Sequence, residues 1–194
     1  GAHRDLHSFP TRRSSDLEAS HVWRRQWRHA GTAELTAAGL DMAHDFTNLR
    51  TEAQVLSPVL RAAFDLGNAS AVCVRPGTAE WQTVVVGGDA TSRFANVPSA
   101  GPGQELTLAS PVTRRAVRVR LPEKPLERVQ VLCDAREGRV VLLAVLAPAE
   151  VPGSGKFSAA WQIGAAAPAD GLPAVEVPAA HRADRIAVED FRLG

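Results

Sequence analysis

Residues 116–121 read Ala-Val-Arg-Val-Arg-Leu, and residues 139–146 read Arg-Val-Val-Leu-Leu-Ala-Val-Leu. In the first stretch apolar and charged residues alternate, which is typical of a β-strand with one buried face and one wet face. The second stretch is apolar after its first residue, as expected of a strand that is covered on both faces. Together they predict a β-sheet protein with a substantial core.

Similar short runs recur through residues 51–149 and are separated by turn signals such as Pro76-Gly77 and Gly87-Gly88. Strands at this spacing, with few helix signals, predict an all-β sandwich or barrel, and we favour the sandwich. We expect Trp81 to fill its core and residues 89–103 to form a loop. The predicted strands are residues 59–64, 71–75, 81–86, 105–109, 116–121, 128–133 and 139–146.

The two ends of the chain have a different character. Residues 3–17 resemble a translated sequencing adapter, so residues 1–17 are interpreted as an artefact or a disordered tail, and the native N-terminus is expected to be missing. Residues 18–50 are predicted to be a mixed, partly helical segment. Residues 150–194 are expected to add strands, either to the same sandwich or as part of a second domain.

The helical part of that prediction rests on residues 34–49. Leu35, Ala38, Met42 and Phe46 would lie on one side of a helix there. In the C-terminal region, the predicted strands are residues 157–163, 174–177 and 185–193.

Composition excludes several classes of protein. Of the 194 residues 45% are hydrophobic, which is enough for a core. The 22 Lys and Arg residues nearly balance the 21 Asp and Glu residues, so no nucleic-acid partner is predicted. No stretch approaches the roughly 20 apolar residues of a membrane-spanning helix. Cys73 and Cys133 either form one disulfide or are two buried thiols.

The motifs that usually carry chemistry are missing from the sequence. The six His residues show no ligand spacing, so no metal site is predicted. The segment Gly153-Ser154-Gly155 lacks the full nucleophile-elbow pattern, and the Gly-rich pieces lack phosphate-loop spacing. We therefore predict no catalytic residue and no cofactor.

Two segments resemble the discoidin, or coagulation-factor C-type, module. Phe64-Asp65-Leu66-Gly67 followed by residues 71–74 is similar to its strand, Asp-Leu-Gly, turn and strand signature. Residues 81–85 followed by residues 111–119 are similar to its paired Trp and Arg-Val strands. The resemblance implies a galactose-binding-like jelly roll that binds glycans or lipids, or acts as a spacer, on secreted enzymes such as glycoside hydrolases.

Residues 43–49, Ala-His-Asp-Phe-Thr-Asn-Leu, resemble the phospho-acceptor box of sensor histidine kinases. This second resemblance implies a phospho-acceptor role for His44 on an exposed helix face. The chain after it would then be a GAF-like sensor domain.

These observations favour binding over catalysis. The leading hypothesis is a non-catalytic accessory module for a glycan ligand, joined to other domains of a longer, extracellular or periplasmic protein. Its candidate contacts are Trp161, Asp89 and Arg93. The alternatives are the histidine-kinase sensor fragment and a structural spacer.

Overall fold

The computed structural model describes residues 17–23, 26–86, 92–135, 137–167 and 170–175, with side chains from residue 26 onward. These residues form fourteen β-strands and no helix. In chain order the strands are β1 (Leu17–Trp23), β2 (Trp27–Thr36), β3 (Gly39–Asn48), β4 (Gln54–Leu56), β5 (Val59–Phe64), β6 (Ala71–Pro76), β7 (Gln82–Val85), β8 (Ser92–Asn96), β9 (Glu105–Ala109), β10 (Ala116–Arg120), β11 (Leu126–Asp134), β12 (Arg139–Leu146), β13 (Ala149–Val151) and β14 (Lys156–Ala165).

The strands form three antiparallel sheets. The largest has eight strands in the order β1-β2-β3-β14-β10-β9-β6-β7. A four-stranded sheet has the order β5-β12-β11-β8, and β13 pairs with β4. The prediction of an all-β sandwich is therefore confirmed.

The main core lies between the four-stranded sheet and one half of the eight-stranded sheet. Val72, Leu108 and Val119 come from the large sheet, and Val131 and Leu142 come from the small one. All five are 0% exposed. Burial of each such side chain contributes about 1.5–3 kcal/mol, so this interface is the main source of stability.

The other half of the large sheet, β1-β2-β3-β14, adds Ala159 and Trp161 of β14 to the main core and also has a smaller cluster. Trp27 packs there with Leu56 of β4 and Val151 of β13. Phe46 and Phe157 pack against the same cluster from β3 and β14. The two-stranded sheet therefore covers part of this half.

The predicted helix over residues 34–49 is wrong. These residues belong to β2 and β3, which form a hairpin with Thr36 opposite Gly39. The apolar residues Met42 and Phe46 share a face in either conformation, because an even number of positions separates them on a strand. Their spacing therefore did not distinguish a strand from a helix.

The expectation that Trp81 fills the core is also wrong. Trp81 is half-buried and lies outside the core cluster. The guanidinium carbon of Arg75 lies 4.5 Å from the centroid of its ring. Among the described tryptophan side chains, Trp27 and Trp161 are the buried ones.

The remaining predictions differ in outcome. Residues 59–64, 105–109 and 139–146 coincide with β5, β9 and β12. The predicted loop of residues 89–103 contains strand β8 instead.

The C-terminal predictions are tested only in part. Residues 157–163 lie within β14, between β3 and β10 in the large sheet. Residues 174 and 175 are not in a strand, and residues 176–194 lie outside the described part of the chain, as do residues 1–16.

Candidate functional site

Four polar side chains form a row across β2, β3, β14 and β10. In the strand register Glu34 lies opposite Asp41, Asp41 lies opposite Gln162, and Gln162 lies opposite Arg120. Register partners on antiparallel strands project from the same face of a sheet, so the four side chains lie side by side. We call these four residues the polar row.

A cavity of about 620 Å³ lies along the polar row and is lined by all four of its residues. Beyond the row its floor includes Ala43 and Ala160, which are register partners on β3 and β14. Glu123 and Lys124, in the chain that follows β10, line it as well. The result is a groove with a small-residue floor and polar groups at its margins, which we call the outer groove.

Hydrogen bonding fixes part of the polar row. Nε2 of Gln162 donates to Oδ1 of Asp41 at 2.5 Å. Nη2 of Arg120 lies 3.6 Å from Oε1 of Glu123, and both of these side chains are largely exposed. No described residue bonds to Oδ2 of Asp41 or Oε1 of Gln162, so both oxygens can accept a hydrogen bond from a ligand.

A second polar cluster lies farther along the same face and holds β3 to β14. Asp45 accepts hydrogen bonds from the hydroxyl of Ser158 and from Nζ of Lys156, each at 2.6 Å. Burial alone would raise the pKa of the Asp45 carboxyl, but these two hydrogen bonds and the Lys156 charge outweigh it and lower that pKa. Asp45 does not line the outer groove.

The three candidate contacts predicted from sequence lie in different places. Trp161 lines the outer groove, but its ring belongs to the core and is 4% exposed. Its Nε1 is buried with no hydrogen-bond partner among the described residues. Arg93 is on β8 of the other sheet, where Nη1 donates to the Val85 carbonyl at 3.1 Å. Asp89 lies outside the described residues.

The polar row was not predicted from the sequence, although the exposure of one of its residues, Arg120, was predicted. Alternation in residues 116–121 places Arg118 and Arg120 on the wet face of a strand, as observed. Glu34 and Asp41 were assigned to a helix, so their alignment with Arg120 could not be anticipated.

His44 lies in β3 on the core face, so the helix that the phospho-acceptor interpretation requires is absent and that interpretation is wrong. Its Nδ1 is 3.1 Å from Nε2 of His29, and one of these two nitrogens donates to the other. The ring is tilted against Trp161, with centroids 6.4 Å apart. Burial first, and the neighbouring His29 second, lower the pKa of His44, so it is neutral at neutral pH.

Both cysteines are buried free thiols, which is one of the two alternatives predicted. Burial raises the pKa of Cys133 to about 12 and also raises the pKa of Cys73. Within the described ranges, no group of three or more His, Cys, Asp or Glu side chains is placed to hold a metal ion. No helix in that part of the chain has the length and hydropathy needed to cross a membrane.

No protein-family model matches the chain, and no curated protein matches it. Solved structures do share its fold. The Slr1438 protein of Synechocystis sp. PCC 6803 superposes with a TM-score of 0.54 at 13% identity, over 78% of this chain and 61% of that one. This chain thus spans less than two thirds of that protein.

Two further structures are described as galactose mutarotase-related. The galactose mutarotase-like protein of Lactobacillus casei gives a TM-score of 0.50 at 12% identity, over 77% of this chain and 68% of that one. The galactose mutarotase related enzyme of Lactobacillus acidophilus gives 0.53 at 10% identity, over 82% and 70%. At these identities the likeness establishes a related β-sandwich fold.

Proposed function

We propose that the chain is a non-catalytic carbohydrate-binding module of a longer protein and that its ligand lies in the outer groove. The observation that carries the proposal is the polar row beside a floor of Ala43 and Ala160. A sugar ring presents hydroxyl groups around its edge and C–H groups on its faces. The row supplies acceptors and donors for the hydroxyls, and the alanines allow the ring to approach the sheet closely.

The size of the outer groove agrees with this ligand class. Its volume of about 620 Å³ falls within the roughly 300–1,000 Å³ range of small-molecule sites. Carboxylate oxygens of Glu34 and Asp41 accept hydrogen bonds, and the guanidinium of Arg120 donates them. A polyhydroxylated ligand uses both kinds of group at once.

The fold comparison adds independent support. Two of the structures that share this β-sandwich are named for galactose mutarotase, so a sugar ligand is the natural class to test first. The discoidin-type resemblance of the sequence implies the same ligand class. Asp89 and Arg93 stay predictions for contacts outside the outer groove, and Trp161 supports its floor from behind.

The test is a glycan array with the full chain, followed by affinity electrophoresis against the polysaccharides that bind. We expect Asp41→Ala to weaken binding by about tenfold, the loss of roughly 1.4 kcal/mol of ligand hydrogen bonding. Asp170→Ala is the matched control, because it removes the same charged group at an exposed position that does not line the outer groove. It should bind as the wild type does.

Two results would count against the proposal. If no glycan binds, a spacer role remains. If Asp170→Ala weakens binding as much as Asp41→Ala, the outer groove is not the site. The proposed export of the parent protein is tested separately by its full reading frame, which should encode a signal peptide and a further domain such as a glycoside hydrolase.

A further inference from the structure

The outer groove continues into a second cavity of about 410 Å³ on the same face of the sheet. The two cavities share Arg120 and Gln162 as lining residues. The second cavity is also lined by Arg118, Glu105, the turn between β2 and β3, and Gly164 and Ala165 at the end of β14. Arg118 and Arg120 are two positions apart on β10, so both guanidinium groups project from the outer face.

No described residue neutralises the charge of Arg118. Its register partners are Thr107 on β9 and Gly164 on β14, neither of which is charged. No described residue forms an ion pair or a hydrogen bond with the Arg118 side chain, which is exposed. The hairpin turn lies against Gly164, where an added Cβ would be 2.8 Å from the carbonyl oxygen of Ala38.

Neighbouring charges give this end of the groove a positive bias. Within the described part of the chain, the guanidinium of Arg120 has one ion-pair contact, 3.6 Å to the exposed Glu123 carboxylate. Such exposed pairs contribute about 0–1 kcal/mol, so a ligand anion can share or displace the contact. Arg75 on β6 and Arg118 on β10 are both register partners of Thr107 on the intervening strand β9. The two arginines are therefore roughly 10 Å apart. The opposing acids among the described residues here are Glu123 and Glu105, and Glu105 is the register partner of Arg120 on β9.

The far end of the polar row has the opposite sign. Glu34 and Asp41 are adjacent on β2 and β3, and no described cation bonds to either carboxylate. The groove is therefore acidic at the β2–β3 end and basic at the β10 end. A ligand with one negative substituent would bind in a single orientation, with that substituent at Arg118.

We propose that the second cavity is an anion subsite and that the module prefers acidic saccharides, with a carboxylate or sulfate group bound at Arg118. This inference rests on the proposed function. The guanidinium fork of Arg118 matches the planar geometry of a carboxylate and also donates to sulfate oxygens, and Arg120 provides a second donor group. Hydroxyl groups of the same saccharide would reach Asp41 and Gln162.

The test compares three oligosaccharides of matched length, one neutral, one carrying uronic acids and one carrying sulfate esters. Their Kd values are measured by titration calorimetry with the full chain, at low and at physiological salt. Wild type should bind one of the acidic ligands at least about fivefold more tightly than the neutral one. The stronger of the two acidic ligands identifies the source of the anion.

Arg118→Gln should lose this preference while it still binds the neutral ligand, and Arg118→Lys should keep part of it. Arg61→Gln, an exposed arginine on β5 of the other sheet, is the control for net charge. Equal Kd values for neutral and acidic ligands, or an equal effect of Arg61→Gln and Arg118→Gln, would overturn the inference and leave the proposed function standing. Absence of binding to all three oligosaccharides would overturn both.

Discussion

Replacement of Gly39 by alanine is expected to move the β2–β3 hairpin away from β14. Gly39 has a φ of 139°, a backbone conformation that residues with a side chain rarely adopt. A Cβ at this position would overlap the carbonyl oxygen of Ile163 and lie 2.8 Å from Cα of Gly164. Both are backbone atoms, which cannot rotate out of the way, so the hairpin itself must shift.

The expected magnitude follows from a comparison with Gly138→Ala. Gly138 also has a positive φ, 67°, but a Cβ there meets nothing within 4 Å. That control carries only the conformational cost of the left-handed region, about 1–2 kcal/mol. Gly39→Ala adds steric overlap to a backbone strain of about 1–3 kcal/mol. We expect it to lower the free energy of unfolding by about 2 kcal/mol more than the control, roughly 4–8 °C in Tm.

The assay is urea unfolding of both variants, followed by tryptophan fluorescence, with equal m-values as the check on two-state behaviour. Equal stability of the two variants, or wild-type stability of Gly39→Ala, would contradict this expectation. The hairpin would then not lie against β14, and the outer groove would lose the wall that β2 and β3 provide.

Two further predictions concern buried titratable groups. Folding lowers the pKa of His44, so the unfolded state binds a proton on this side chain more readily than the folded state does. The stability linked to neutral His44 is therefore fully present above about pH 6.5. It is lost as the pH falls from there through the lowered pKa. Urea midpoints should therefore drop on acidification more for wild type than for His44→Gln, and equal drops would contradict the assignment. With its pKa raised to about 12, the Cys133 thiol should resist alkylation at neutral pH until the chain unfolds. Mass spectrometry of the native protein after iodoacetamide treatment checks this, and rapid labelling of Cys133 would show that it is accessible.

Local sequence patterns predicted those strands whose environment is simple. Residues 139–146 form β12 in the middle of the four-stranded sheet, and their near-continuous apolar character reflects that position. In β10, Val119 is buried while Arg118 and Arg120 are exposed, so alternation gave the correct faces. For both strands, the residues of one short segment were sufficient to predict which faces are buried.

The hairpin of β2 and β3 could not be predicted from local sequence patterns. Leu35, Met42 and Phe46 satisfy helical spacing, whereas the structure places Leu35 63% exposed near the hairpin tip. The turn at Gly39 depends on its contact with β14, which is far away in the sequence. Trp81 was misplaced for a related reason, since Arg75 rather than a facing sheet covers its ring.

The outer groove is a product of strand order, which local patterns do not specify. The hydrogen bond between Asp41 and Gln162 joins residues 121 positions apart. It forms because β14 inserts between β3 and β10, and that insertion brings Arg120 into the same row. Individual exposed polar residues could be recognised from the sequence, but their convergence could not.

The most direct test of the outer groove is an amide chemical-shift titration of the isotope-labelled full chain with the oligosaccharide that binds best on the array. The largest shifts are expected at Ala43, Ala160 and Gln162, along the floor and the polar row. Shifts confined to β5 and β8 of the opposite sheet, with these three amides unchanged, would contradict binding in the outer groove.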